Sequence, residues 1–322
     1  MDFQVSVVIP VFNAERFLRE AVESALRQPE VGEVVLVDDG SSDGSPALCG
    51  QLAEEHPGKV TLAWHEGRAN RGPGPSRNLG LSTARCPYVA FLDADDWYVD
   101  GCFTFDKKAF EADPGLGFVR HSLGNGFDAG DEEQAWFVKY TGRKNAESRF
   151  HSFVDPSIRP ETYFEHLYPM GNLGPGVAGT VTVRRDIALS AGGFPGRNWA
   201  EDATFHAKVA LVAKVGIAPT EPPMAMRRIH AGNLTRKNSG EAQHRFDCVA
   251  EMLLEARDFG AKRGISFRRI AALHRGWLRY GRKYSKVSSF TLLRRHPLDM
   301  LLPGVAWMYF RFYAGIILAR VR

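Results

Sequence analysis

Three short runs of apolar residues in this sequence each end in a polar loop. They are Val-Ser-Val-Val-Ile-Pro-Val at residues 5–11, Val-Val-Leu-Val at 34–37 and Tyr-Val-Ala-Phe-Leu at 88–92. Short runs rich in β-branched residues are typical of strands buried on both faces of a parallel sheet. Because such strands need helices on both sides of the sheet, these runs constrain the fold more than any other feature.

A helix is predicted after each of the first two runs. Residues 14–28 carry apolar side chains at helical spacing, and Asn13 is the expected N-cap. A second helix is expected through Leu48 and Leu52. The order strand, helix, strand, helix favours a right-handed βαβ unit. The sequence therefore predicts an α/β fold with a doubly wound, mainly parallel sheet flanked by helices.

The third run ends at Asp93-Ala94-Asp95-Asp96, which puts carboxylates where a buried strand leaves the sheet. Two carboxylates one residue apart can hold a hard divalent cation, and such a cation usually serves a phosphate-bearing substrate. The structural alternative is that Asp95 and Asp96 cap a helix while Asp93 only ends a strand. Ligands of doubly wound sheets bind beyond the carboxyl ends of the strands, so the loops at Asn13, Asp39 and Asp95 are expected to share one crevice.

Several other classes of protein are excluded by missing motifs. The sequence contains no Gly-x-x-x-x-Gly-Lys-Ser/Thr, and Phe12-Asn13-Ala14 stands where a dinucleotide-binding fold needs Gly-x-Gly-x-x-Gly. The sequence therefore fits neither a P-loop enzyme nor an NAD-dependent enzyme. The four cysteines form no Cys-x-x-Cys pair, so neither a zinc site nor a disulfide framework is supported. Reduced thiols and a start, Met1 to Gln4, without a basic signal region favour a cytoplasmic protein.

As an ordered set, the motifs resemble the family 2 glycosyltransferases of GT-A fold, which transfer a sugar from a nucleotide diphosphate with inversion. The resemblance covers residues 4–235. The matching stretches are Val5–Asn13, Val37–Ser42, Ser76–Gly80, Phe91–Asp96, Gly192–Phe194 and Glu201–Asp202. The resemblance implies a hexosyltransferase that uses a nucleotide-sugar to extend a glycan or a lipid-linked glycan, as in polysaccharide or cell-envelope biosynthesis.

The same resemblance implies a set of donor-binding residues. They are Pro10, Phe12, Asn13, Asp39, Arg77, Asp93 and Arg228. Asp39 would accept a hydrogen bond from the imino N–H of uracil, which favours a UDP-sugar. Arg77 and Arg228 would face the donor phosphates, since a guanidinium suits phosphate oxygens. The structural alternatives are a turn residue for Asp39 and a surface arginine for Arg77.

Metal and catalytic roles are implied in the same way. Asp93 would reach the ribose, Asp95 would bind Mn²⁺ or Mg²⁺, and His230 would close over the metal. Asp202 matches the family's base, which takes the proton of the acceptor hydroxyl in a single displacement, and Glu201 would orient it. Acidic residues are also common at helix N-termini, so the alternative is that both merely complement a helix dipole.

Residues 262–322 are strongly basic. They contain 14 Lys and Arg residues and one acidic residue, Asp299, whereas the whole chain carries a formal charge of +4. We therefore predict a nucleotide-sugar-binding and catalytic domain at residues 1–240 and a basic helical region at 241–322. Residues 298–319 are rich in aromatic and aliphatic side chains, but Pro303, Gly304 and Arg311 interrupt them, which disfavours a membrane-spanning helix.

The basic helical region is expected to lie on an anionic membrane surface at the inner face of the cytoplasmic membrane. A helical cap on the catalytic domain and an oligomer contact remain alternatives. Nucleic acid is not an expected partner, because no recognition motif accompanies the positive charge. A non-catalytic nucleotide-sugar sensor or scaffold is the alternative function, and Asp202 argues against it because a sensor needs no base.

Overall fold

A seven-stranded β-sheet lies at the centre of this computed structural model. The structure describes residues 3–127, 132, 135, 158–167, 178–197, 200–219, 222–233, 242–283, 291–302 and 304–321. The strands are β1 Val5–Val11, β2 Val31–Asp38, β3 Val60–Trp64, β4 Tyr88–Phe91, β5 Trp97–Tyr98, β6 Leu116–Arg120, β7 Leu123–Phe127, β8 Val181–Arg184, β9 Lys214–Ile217 and β10 Ala225–Ile229.

Helices flank this sheet on both faces and continue through the basic region. They are α1 Leu18–Leu26, α2 Ser45–Glu55, α3 Pro73–Thr83, α4 Thr104–Ala112, α5 Tyr163–Leu167, α6 Arg185–Ser190, α7 Glu201–Val212, α8 Ala242–Ala261, α9 Phe267–Lys283, α10 Thr291–Arg295 and α11 Val305–Val321. A short 3₁₀ helix, Pro297–Leu301, precedes α11.

The large sheet is mainly parallel, as predicted. Its strand order is β3-β2-β1-β4-β8-β6-β9, and only β8 runs antiparallel to its neighbours. A second sheet of three strands has the order β5-β10-β7. Strand β5 follows the Asp93–Asp96 stretch directly, and β10 ends one residue before His230. The small sheet therefore connects two of the loops that the sequence singled out.

Strand β1 is buried on both faces, and successive side chains enter different parts of the core. Val7 and Ile9 belong to one hydrophobic cluster, whereas Val8 belongs to the other. Val7 pairs with Val34 and Val8 with Val35, so the neighbouring strand alternates in step. Because neither face of the sheet meets water, the run is mostly apolar, and its one polar side chain, the buried Ser6, is hydrogen-bonded to Glu33.

Helices α8 and α9 pack against α7 and the large sheet. Met252 and Leu253 of α8 and Trp277 of α9 belong to the same hydrophobic cluster as Phe205 and Val209 of α7. Both helices lie within the basic helical region predicted at residues 241–322. The boundary predicted at residues 240 and 241 lies outside the described residues and stays a prediction.

One local prediction was wrong. Asn13 does not cap α1, because the helix begins at Leu18 and Asn13 has a left-handed backbone with φ 51°. Residues 298–319 are interrupted, as the sequence indicated: the 3₁₀ helix ends at Leu301 and α11 begins only at Val305. Within the ranges given above, no helix is both long and apolar enough to cross a membrane.

Candidate functional site

The loops after β1, β2 and β4 meet at one edge of the large sheet. The first two are joined directly: the Asn13 backbone N–H donates to Ser41 Oγ at 3.0 Å, and the Ser42 N–H donates to Asn13 Oδ1 at 2.8 Å. Asn13 is therefore committed to the neighbouring loop, which explains why it does not cap α1. Pro10 is half-buried at the end of β1, whereas Phe12 is 52% exposed above this edge.

Asp39 is buried where the loop after β2 meets the loop before α3. Its Oδ1 accepts the N–H of Arg71 at 2.7 Å, and its Oδ2 accepts the N–H of Gly72 at 2.8 Å. Each carboxylate oxygen has a further lone pair, so Asp39 can still accept a hydrogen bond from a ligand. Gly40 has φ +73°, and a Cβ there would lie 2.8 Å from the Arg68 carbonyl oxygen. Glycine is needed for the two loops to approach this closely.

Helix α3 lies directly on β1, and this contact positions Arg77. A Cβ at Gly80 would lie 2.2 Å from Val8 Cγ1, so only glycine allows this approach. The buried Arg77 guanidinium donates from Nη2 to Asp93 Oδ1 at 2.6 Å and from Nη1 to Glu201 Oε1 at 2.9 Å. Burial opposes the charge, but the Asp93 and Glu201 carboxylates raise the pKa of Arg77 above its usual range.

Asn78, the residue after Arg77, clamps the Gly192–Phe194 stretch. Its Nδ2 donates to the Phe194 carbonyl oxygen at 2.8 Å, and its Oδ1 accepts the Phe194 N–H at 2.7 Å. The Phe194 ring in turn lies 5.5 Å from the Arg77 guanidinium carbon. Two motifs more than a hundred residues apart in sequence therefore form one support for Arg77.

Asp93, Asp95 and Asp96 form a tight turn at the end of β4. The Asp96 N–H donates to the Asp93 carbonyl oxygen at 3.0 Å, and the chain continues into β5, so the helix-cap alternative is wrong. One carboxylate oxygen from each of the three side chains lies within 4.8 Å of the others. Burial, and then the charges of Asp95 and Asp93, hold the pKa of Asp96 well above its usual range. The three carboxylates of this turn repel one another, and a bound cation would relieve that repulsion.

His230 lies against Asp95, as the sequence predicted for a shared site. Its Nε2 lies 2.9 Å from Asp95 Oδ2, and its Nδ1 accepts the N–H of Gly232 at 3.2 Å. With Nδ1 as the acceptor, the proton of a neutral imidazole is on Nε2 and is donated to Asp95. Asn233 donates from Nδ2 to the same oxygen at 3.1 Å. His230 therefore orients the carboxylate in this arrangement, and its role as a metal ligand stays a prediction.

Arg228 is held by the elements around the turn. Its Nε donates to the Asp95 carbonyl oxygen at 3.0 Å, and its Nη2 donates to Glu20 Oε2 at 2.5 Å. The guanidinium carbon lies 4.9 Å from the centre of the Phe17 ring and 4.5 Å from that of Trp97. These contacts fix the Asp95 backbone, and a role for Arg228 toward donor phosphates stays a prediction.

Asp202 lies at the first turn of α7, next to the carboxylate that Arg77 holds. Its Oδ1 accepts the N–H of Ala203 at 2.6 Å. Burial, and then the charge of Glu201, raises the pKa of Asp202 to about 8, although Arg77 lowers it. The residue before the helix, Ala200, has a left-handed backbone with φ 59°, which is strained for any residue with a side chain.

The structure brings the predicted residues together in two connected groups. Arg77, Asp93 and Glu201 form one network, and Asp95, His230 and Arg228 form the other. Sequence reasoning missed two contributors: the Asp96 carboxylate, which accepts the Arg228 N–H at 2.9 Å, and the Asn233 amide. Both stand within three residues of a predicted site residue, and this proximity was the available signal.

Sequence comparisons support the resemblance. The family model Glycosyl transferase family 2 matches residues 6–154. The minor teichoic acid biosynthesis protein GgaA of Bacillus subtilis is 39% identical over 97 residues, which cover 28% of this chain and 21% of GgaA. The succinoglycan biosynthesis protein ExoU of Rhizobium meliloti is 37% identical over 97 residues, which cover 30% of this chain and 28% of ExoU. The alignments thus span less than a third of these relatives.

Solved structures share the fold over nearly the whole chain. TarS of S. aureus in complex with UDP is similar with a TM-score of 0.60 and 18% identity, over 94% of this chain and 79% of that one. The mannosyltransferase PcManGT from Pyrobaculum calidifontis, in complex with GDP-Man and Mn²⁺, is similar with a TM-score of 0.50 and 19% identity. The match covers 99% of this chain and 86% of that one. The predicted fold class is confirmed. Residues 6–154, a little under half of the chain, match glycosyltransferase family 2 in sequence.

Proposed function

We propose that this protein is an inverting, metal-dependent glycosyltransferase that moves a sugar from a nucleotide-sugar, with a UDP-sugar favoured, to a glycan or a lipid-linked glycan. The observation that carries the proposal is the bridge from Asp93 through Arg77 to Glu201. It connects the loop with clustered carboxylates to the helix that begins with a potential base. A transferase needs the carboxylate loop and the base on opposite sides of one sugar, whereas a sensor needs only the carboxylate loop.

The side chains at the turn after β4 suit a divalent cation. The oxygens of Asp93, Asp95 and Asp96 within 4.8 Å of one another are an all-oxygen set of the kind that Mg²⁺ and Mn²⁺ prefer. Asp95 is the residue we assign to the metal, with Asp93 directed toward the ribose. When bound, the cation would neutralise the charge that develops on the leaving diphosphate. Asn233 and His230 keep Asp95 oriented by their hydrogen bonds to Oδ2.

A UDP-sugar is favoured because Asp39 presents only hydrogen-bond acceptors. Its two oxygens are oriented by the N–H groups of Arg71 and Gly72 and can accept the imino N–H of a uracil. Pro10, Phe12 and Asn13 would form the neighbouring wall of the nucleotide pocket. The UDP bound to TarS supports this preference, and the GDP-Man bound to PcManGT makes a GDP-sugar the natural competitor in a binding assay.

Asp202 is the proposed base, and Glu201 is the positioning residue beside it. Glu201 accepts a hydrogen bond from Arg77, and burial, followed by the charge of Glu201, raises the pKa of Asp202. A carboxylate with a raised pKa is a better proton acceptor for a sugar hydroxyl than an ordinary aspartate. Attack of that hydroxyl on the anomeric carbon and departure of the diphosphate occur in one step, which inverts the configuration.

The acceptor and the location follow from the relatives and from the basic region. GgaA and ExoU are named for teichoic acid and succinoglycan biosynthesis, so a cell-envelope or exported polysaccharide is the acceptor class we propose. We therefore place the protein in the cytoplasm, peripheral to the inner face of the cytoplasmic membrane, where the positive charge of residues 262–322 would meet anionic lipids.

A donor screen tests the proposal. The thermal midpoint should be measured with UDP-, GDP- and dTDP-sugars, each with and without Mn²⁺, and the release of nucleotide diphosphate should then be followed for the donor that stabilises most. We expect a UDP-sugar to stabilise only with the metal and to be hydrolysed slowly without an acceptor. Tight donor binding with neither hydrolysis nor transfer would instead support a sensor or scaffold.

A further inference from the structure

Five large apolar side chains of the 3₁₀ helix and α11 are exposed among the described residues, and four of them are more than half exposed. Leu298 is 74% exposed, Leu301 81%, Trp307 60% and Phe310 63%, and we call these four residues the apolar ridge. A single exposed apolar side chain is ordinary on a protein surface, but several large ones on adjoining turns mark an interaction surface. The Trp307 and Phe310 rings stack with their centres 5.4 Å apart, so they present one continuous aromatic surface.

The ridge is not a loosely attached segment, because the residues between its members are anchored inward. Asp299 is buried and accepts hydrogen bonds from Arg257 Nε and His274 Nε2, each at 2.8 Å. The Tyr309 hydroxyl lies 3.0 Å from His274 Nδ1. Val305 is also fully buried. The side of these helices that carries the apolar ridge is therefore held outward by contacts on the opposite side.

The charge around the apolar ridge is positive. Arg294 of α10 and Arg311, which follows Phe310 on α11, are both exposed. The single acidic residue of the 262–322 segment, Asp299, is buried and paired with Arg257, so it does not offset that charge at the surface. Arg295 forms an ion pair with Asp258 and is already partly neutralised. The surface thus combines exposed aromatic and aliphatic groups with guanidinium groups.

We infer that the apolar ridge docks on an anionic lipid membrane, with Trp307 and Phe310 in the interfacial layer and Arg294 and Arg311 against headgroup phosphates. Aromatic rings favour this layer, and arginine is attracted by the negative potential of the leaflet. A second copy of the chain is a poorer occupant, because two strongly basic segments would repel each other. Nucleic acid is also poorer, because its phosphates offer nothing to Leu298 and Leu301.

Docking through the ridge would also fix how the catalytic half faces the membrane. Helices α8 and α9 share a hydrophobic cluster with α7, which begins with Glu201 and Asp202. The same packed helices therefore connect the lipid-facing residues to the proposed base. The inference does not depend on turnover, so its outcome and that of the proposed sugar transfer can be distinguished.

Vesicle sedimentation of the full chain tests the inference. Vesicles of phosphatidylcholine and phosphatidylglycerol in equal parts should sediment the wild type, and vesicles of phosphatidylcholine alone should do so far less. The double variant Trp307→Ser with Phe310→Ser should lower partitioning about ten-fold or more, since two aromatic groups no longer leave water. Leu189→Ser, which alters a 43% exposed residue of α6, is the matched control and should partition like the wild type.

A second double variant, which removes two positive charges, completes the test. Arg294→Gln with Arg311→Gln should reduce binding to the anionic vesicles, whereas Arg27→Gln, another exposed arginine, should not. Unchanged thermal midpoints would establish that all variants fold. Equal partitioning of wild type and ridge variant would overturn the inference. So would a ridge variant that alters only the oligomeric state in size-exclusion chromatography, because the ridge would then be a contact between copies.

Discussion

Nη1 of Arg77 lies 2.9 Å from Oε1 of Glu201, although 124 residues separate them in sequence. The other terminal nitrogen of the same guanidinium holds Asp93. The buried Arg77 guanidinium thereby sets the distance between the turn after β4 and the first turn of α7. In the proposed reaction, that distance is the one between the donor and the base.

Replacement of Arg77 tests this bridge. Arg77→Met leaves Glu201 buried without its partner and should lower the free energy of unfolding by about 3 kcal/mol, the lower end of the range for broken buried pairs, because Asp93 is about a third exposed. Urea unfolding measures the change. Arg19→Met removes an exposed pair with Glu55 and should leave the midpoint nearly unchanged. A similar loss in both variants would contradict the bridge.

Asp202→Asn should abolish transfer while donor binding survives, since the substitution removes a proton acceptor and keeps the shape of the side chain. Turnover can be followed by the release of nucleotide diphosphate, and donor affinity by calorimetry. Asp100→Asn, at an 81% exposed side chain, serves as the control. A variant that loses donor affinity but keeps turnover would show that another residue is the base.

The rate of transfer should increase with pH and level off above about 8, where the Asp202 carboxyl has lost its proton. Below its pKa, the ionised fraction of the carboxyl falls about ten-fold for each pH unit, and the protonated form cannot accept the acceptor's proton. A bound divalent cation would move the inflection to lower pH. Steady-state rates at saturating donor and acceptor give the profile, and a rate independent of pH across this range would argue against Asp202.

Metal-dependent donor binding should depend on Asp95 and on the groups that orient it. Asp95→Ala should remove the stabilisation that Mn²⁺ adds in a donor-binding assay, and a chelator should have the same effect on the wild type. Asn233→Ala removes the amide held against Asp95 Oδ2 and should weaken metal-dependent binding about ten-fold. Undiminished activity with a chelator present would eliminate the metal from the proposal.

The left-handed backbone at Ala200 predicts an unusual response to glycine. Ala200→Gly relieves strain at φ 59° and should change the free energy of unfolding by less than about 0.5 kcal/mol. Ala207→Gly, inside α7 and fully buried, should lower it by about 2 kcal/mol, because helix propensity and a buried methyl group are both lost. Equal losses would mean that the Ala200 conformation is not strained.

The sheet could be predicted from the sequence because its signal is local. Val7 and Val8 face opposite clusters, so a run dominated by β-branched residues is what a strand buried on both faces requires. Asn13 was misread because an asparagine before an apolar periodic stretch suits both a helix cap and a left-handed turn. The bond to Ser42 from the next loop decided between them, and no local pattern reveals that bond.

The partners of Arg77 could not be predicted for a related reason. A guanidinium recognises carboxylates and phosphates with the same geometry, so the residue type alone does not distinguish a donor contact from a structural bridge. Asp96 could not be placed in the site for a different reason, since the sequence offered it only a role as a helix cap. Its carboxylate in fact accepts the N–H of Arg228, 132 residues further along.

The three-stranded sheet holds the Asp93–Asp96 turn next to the loop that carries His230. Tyr98 of β5 pairs with Ala225 of β10, so this pairing positions Asp95, two residues before β5, and His230, the residue after β10. A slip of one residue would turn the β10 side chains to the opposite face and separate Arg228 from Asp96. The register of the small sheet thus sets the position of Asp95 relative to His230. Insertions or deletions within Trp97–Tyr98 or Ala225–Ile229 should therefore be tolerated far less than those in the outer loops.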